Sequence, residues 1–224
     1  MANRAYLSVW CRDFSVEVEP ERIEQFLSTV PVSTKMPGFS DLVIRAVGPE
    51  EVPVVESEGR RVFPNAAAVL EIVRQHLNAD CAYEMRAYWD LWMFDLAKGA
   101  WELRPEPLEI RCYGEAYGDG AWREFGHMHA DLGFEHIFTG HAHLLGAGEA
   151  PTVQPQDSEE ARFLGLMARP DHFREYHERT RQNITKLLDW AQQIERAVPV
   201  DRTRLWSEGE ENFESRIEEI LAVR

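Results

Sequence analysis

Cysteine is scarce in this chain, and the three present, at 11, 81 and 112, are too far apart to form a CxxC pair. That spacing indicates neither a disulfide framework nor a thiolate zinc site, and it suits a reducing compartment. Long apolar runs are missing as well. No segment approaches the roughly 20 apolar residues of a membrane-spanning helix, and the opening MANRAYLSVWCRDF has no apolar run of signal-peptide type, so a cytoplasmic location and no membrane partner are expected. Basic residues are outnumbered, 24 Lys and Arg against 39 Asp and Glu, for a net charge of −15. Such a surplus repels phosphate backbones, so nucleic acid is not expected as a partner, whereas a basic protein is attracted. The chain also lacks a glycine-rich phosphate loop, a dinucleotide fingerprint and a GxSxG elbow, which leaves nucleotide-dependent and serine-hydrolase chemistry without support.

What is present is enough apolar content, 44% of 224 residues, to bury a full core. Residues 5 to 12 alternate, with Ala5, Leu7, Val9 and Cys11 on one face, which predicts a strand. Ile23, Phe26, Leu27 and Val30 then recur at helical spacing between Pro20 and Pro31. A strand is expected over FSDLVIRAV, and a weaker one over EVPVVES, which Pro53 confines to an edge. Asn65 is placed to cap a helix with the stripe Val69, Leu70, Val73 and Leu77. Residues 81 to 95 carry the longest alternation of the chain. After a turn at Lys98-Gly99 the pattern predicts a short strand at Trp101 to Leu103, an interruption at Pro105 and Pro107, and a further strand at LEIRCYGEAY.

The composition shifts to a Gly/Pro-bearing polar connector near 146 to 156, and everything beyond it reads as helical. A helix stops before Pro170. A long one then carries Phe173, Tyr176, Thr180, Ile184, Leu187, Leu188, Ala191, Ile194 and Val198 on one side. A last helix is expected to start at the capping-box pattern Ser207-x-x-Glu210. The fold class is therefore α+β: a mainly antiparallel sheet of ferredoxin-like βαββαβ order with extra strands, helices on one face, and a C-terminal helical segment packed on the sheet. Residues 1–146 form the sheet part and 147–224 the helical segment of one unit.

Chemistry concentrates in FGHMHADLGFEHIFTGHAHLLG, residues 125 to 146, which holds five of the eight histidines. On a strand, His127, His129 and Asp131 share one side while Met128, Ala130 and Leu132 take the other. Two imidazoles at i and i+2, with Cα atoms about 7 Å apart, can close on one divalent transition metal such as zinc. Asp131, or His141 or His143 from the second HxH pair, could supply a third ligand. This pattern supports a metal-dependent enzyme or a metal-binding protein as one reading. The other starts from the polar faces of the strands, which collect Tyr6, Trp10, Arg12, Arg86, Tyr88, Trp92, Glu109, Arg111 and Tyr113. Aromatic residues and arginine are the side chains most enriched at binding hot spots, so an acidic, immunity- or adaptor-like protein-binding module is the expected function.

Overall fold

Strict alternation decides which side of each strand is dry. Ala5, Leu7 and Val9 in β1 (Arg4–Cys11) are fully buried, as are Tyr83, Ala87, Trp89 and Leu91 in β4 (Cys81–Asp95) and Leu108, Ile110 and Cys112 in β5 (Ala100–Tyr113). Met128, Ala130 and Leu132 complete the same apolar face from β6 (Met128–Phe134). The computed structural model describes residues 3–57, 62–141, 145 and 158–223. Together with β2 (Phe39–Ala46), β3 (Val55–Glu56) and β7 (Val200–Ser207), these strands form one sheet in the order β3-β2-β4-β5-β6-β1-β7, every neighbouring pair antiparallel.

Two features of the sheet differ from expectation. β5 runs unbroken through Pro105 and Pro107, which pair with Asp90 and Tyr88 of β4. The Tyr113 N–H points away from β4, to the His127 carbonyl. Residues 105 and 107 share its parity, so their missing donors fall on the side away from β4, beyond the stretch of β5 that pairs with β6. β7 was expected as part of a helical tail; residues 200–207 instead pair along β1. Ser207, expected to cap a helix, ends that strand, and its hydroxyl accepts from the Glu210 N–H at 3.0 Å in the turn before α7 (Phe213–Ala222).

The apolar face is covered by α1 (Glu19–Thr29), α2 (Ala66–Val73), the 28-residue α6 (Pro170–Ala197) and α7, which place Phe26, Leu70, Leu187 and Ile217 in one core with the strands. Asn65 caps α2 through Ala68 N–H at 3.0 Å, as its position predicts. Trp190 of α6 lies at the centre, its ring 5.9 Å from those of both Trp89 and Phe26. The chain order β1-α1-β2-β3-α2-β4 is present, but β1 sits between β6 and β7, four strands from β2. The pairing is thus that of a seven-stranded antiparallel sheet. No helix among the described residues is long and apolar enough to cross a membrane.

Candidate functional site

The polar face of the sheet is divided into two regions with different chemistry. At the β6-β1-β7 end, the short α3 (Trp122–Phe125) folds back over the strands and encloses an aromatic box. Gly126 makes the return possible: its φ of +85° lies in the left-handed region, and a Cβ there would come within 2.7 Å of the Val9 backbone. His127 is consequently buried and sandwiched between Phe14 and Trp122, with ring centroids at 4.1 and 4.5 Å. Its Nδ1 accepts from the Cys11 N–H at 3.0 Å, which fixes the proton of the neutral ring on Nε2. His129 is stacked on Tyr6 and meets the edge of Phe125. The Ser8 hydroxyl accepts from the Trp206 indole N–H at 3.1 Å, leaving its own proton for His129 Nδ1 at 3.2 Å.

Burial dominates the electrostatics of this box. It lowers the His127 and His129 imidazoles from 6.5 to about 4, with the charge of Arg111 adding to the effect at His129. Both rings are therefore neutral at pH 7. Asp131, the third expected ligand, is ion-paired to Arg4 at 2.6 Å and accepts from the Gly133 N–H. His141 lies elsewhere, hydrogen-bonded to Glu160 at 2.9 Å, and His143 lies outside the described residues. Among the described residues, no three His, Cys, Asp or Glu side chains gather so as to hold a metal ion. His127, His129, Asp131 and His141 each have a different partner, and strand parity alone could not reveal those partners.

The middle of the same face, over β2, β4 and β5, is a ladder of alternating charge. Arg86 bridges Asp41 at 3.2 Å and Glu109 at 2.9 Å, while Glu84 pairs with Arg45 at 3.2 Å and with Arg111 at 3.8 Å. These side chains remain partly exposed, Arg111 by 42% and Glu109 by 39%. Three of the expected binding residues, Arg86, Glu109 and Arg111, belong to this row, and Tyr88 is half-buried on the same strand side. The others are placed differently. Tyr6 stacks on Trp206 and donates to Glu208, and Arg12 is exposed and donates to the Val200 carbonyl. Trp10 and Tyr113 are buried, the first under Arg202 and the second against Tyr117 and Phe125. Trp92 lies under Arg179 at the far end of β4. Sequence reasoning missed Asp41 and Arg45, which complete the ladder, and Trp206, which closes the box from the unexpected β7.

A cavity of about 400 Å³ opens at the tip of the β4–β5 hairpin, against α4 (His136–Thr139), α5 (Ser158–Met167) and α6. Its walls include Trp92, Phe94, Trp101 and Phe163, with His136, His141 and Glu160 among its polar groups. Burial, followed by the neighbouring His141, lowers His136 to about 4. The three cysteines are free and buried, and burial raises their thiols, so none is poised as a nucleophile. No family model, no curated protein and no solved structure matches the chain.

Proposed function

We propose that the protein is a protein-binding module of immunity- or adaptor-like kind, acting in the cytoplasm and recognising a basic partner through the charge ladder on β2, β4 and β5. One observation carries this reading: the large helices all bury their apolar residues on the other side of the sheet, while the ladder stays half exposed. A row of three arginines and three carboxylates at fixed strand spacing supplies register. The net charge of −15 supplies long-range attraction for a basic surface. At the β3 edge the ladder is flanked by Val52 and Val54, exposed by 84% and 57%, which offer apolar area beside the charges. The depression over the ladder holds only about 160 Å³ and is lined by its own ion pairs, as suits a broad contact surface better than a small-molecule pocket. The likeness to ferredoxin-like folds rests on the order of the first elements and adds nothing to the functional reading.

The test is capture of a partner by wild-type protein and by an R86E/R111E double variant. Binding should weaken as salt rises and should be lost in the variant. A divalent metal such as zinc at 127–143 is the alternative. Protein purified without chelator would then carry close to one equivalent, and less than about a tenth of an equivalent removes that reading.

A further inference from the structure

We infer that the cavity at the tip of the β4–β5 hairpin is a binding site for a neutral aromatic molecule of phenolic type, with a flat apolar body and one hydroxyl. Its volume of about 400 Å³ falls within the range of small-molecule pockets. The walls are aromatic and mutually braced: Phe94 meets the edges of both Trp101 and Phe163, at 5.4 and 5.7 Å, and Trp101 stacks on Tyr176 at 5.6 Å. Rings locked in this way cannot swing aside, so the slot is formed before a ligand arrives.

Neutral polar groups in the wall define the other end of the ligand. Thr180, one turn after Tyr176 on α6, lines the cavity and is only 2% exposed, and its hydroxyl makes no hydrogen bond among the described residues. The hydroxyl oxygen is not sealed off, so it belongs to the little surface that Thr180 keeps. A hydroxyl left without a partner in such a place is costly, and a ligand group in the cavity supplies the missing bond. His136 lines the cavity as well. Its ring is stacked on Phe134 at 5.7 Å and makes no hydrogen bond among the described residues. Burial keeps that ring neutral at pH 7, with one donor and one acceptor nitrogen. A ligand hydroxyl both donates and accepts, so it matches either group. The glutamates of the lining, Glu159 and Glu160, are both engaged by other groups, Glu160 by His141 at 2.9 Å among them, and they are assigned no ligand contact. The described lining holds no lysine or arginine, so an anionic ligand would lie beside carboxylates without a counter-charge. The cavity is separate from the charge ladder, and this site is independent of the partner-binding role.

Four probes of similar shape test the assignment by calorimetry on the full chain: 4-ethylphenol, the hydrocarbon ethylbenzene, anionic 4-ethylbenzoate and cationic 4-ethylbenzylammonium. The expected result at pH 7 is saturable one-to-one binding of 4-ethylphenol, about fivefold tighter than ethylbenzene as one neutral hydrogen bond implies. Both ions should bind more weakly than the phenol. Thr180→Val, which removes the hydroxyl and keeps the branched shape, should weaken 4-ethylphenol to about the level of ethylbenzene and leave ethylbenzene unchanged. Equal binding of the phenol and the hydrocarbon, tighter binding of either ion, no saturable binding of any probe, or a folded variant that still prefers the phenol as wild type does would overturn the proposal. The ranking is measured on unaltered protein, so it decides the matter even if the variant does not fold.

Discussion

The Glu19 carboxyl at the start of α1 is fully buried, and neither oxygen has a hydrogen-bond partner among the described residues. Burial, reinforced by the nearby Glu115, raises it to about 8, so it is held protonated at neutral pH. The unfolded chain ionises this group near 4.5, and stability is therefore lost as pH rises from 4.5 to 8. Glu19→Gln should stabilise the protein by roughly 3 kcal/mol at pH 7 and by much less at pH 4.5; urea unfolding at the two values checks both size and trend. His127 and His129 act in the opposite direction. Their folded values lie below the unfolded 6.5, so stability is lost as pH falls from 6.5 toward 4. His127→Phe keeps an aromatic ring between Phe14 and Trp122. Between pH 7.5 and 5 it should lose about 2 kcal/mol less than wild type, as urea titrations at those values would show.

Val47 is a third informative residue. It is β-branched, yet its φ of +69° places it in the left-handed region, where its N–H donates to Asp80 and its carbonyl accepts from Gly118. Because the side chain is 61% exposed, its packing does not repay the strain. Val47→Asn should raise stability by about 1 kcal/mol, measured as an increase in the urea midpoint at unchanged slope.

Among the elements, the free edge of β4 shows how the helical segment is fastened. β2 pairs with β4 only as far as Ala87, so the outward groups of Tyr88, Asp90 and Trp92 need other partners. The Tyr88 carbonyl accepts from the Ser33 N–H, the Asp90 carbonyl from Lys186 Nζ, and Asn183 of α6 both accepts from and donates to the Trp92 backbone, at 2.9 and 3.0 Å. Asn183 thus continues the ladder in place of a strand, which protects the edge. Asn183→Ala should cost about 2 kcal/mol by leaving buried backbone groups unpaired. Hydrogen exchange at the Trp92 amide should rise with it.

The core strands were legible from the sequence because alternation over β1, β4, β5 and β6 is nearly unbroken. The stripes of α2 and α6 were legible for the same reason. β7 was not legible: VDRTRLWS is an edge strand with three charged residues and little alternation, and only its pairing with β1 makes it a strand. Of the candidate site, parity correctly grouped Arg86, Glu109 and Arg111. It could not show that His127 and His129 are enclosed by Phe14, Trp122 and Trp206, because those rings come from a loop, a four-residue helix and that unrecognised strand.

For the whole molecule, one sheet separates two environments. One side is a dry core under α1, α2, α6 and α7; the other carries a closed aromatic box and, beside it, an open row of paired charges. If the proposed partner-binding role holds, the strong negative charge would steer and the ladder would set register, and the two should separate kinetically. Salt should slow association, whereas changes to the ladder should speed dissociation. The most direct measurement is quantitative capture from lysate, with mass-spectrometric identification, using wild-type protein, the R86E/R111E variant and an Arg174→Glu control on the exposed surface of α6. The ladder account predicts one basic protein captured by wild type and control alike, released by salt and absent from the double variant. Equal capture by all three proteins, or no partner specific to the intact ladder, would contradict it.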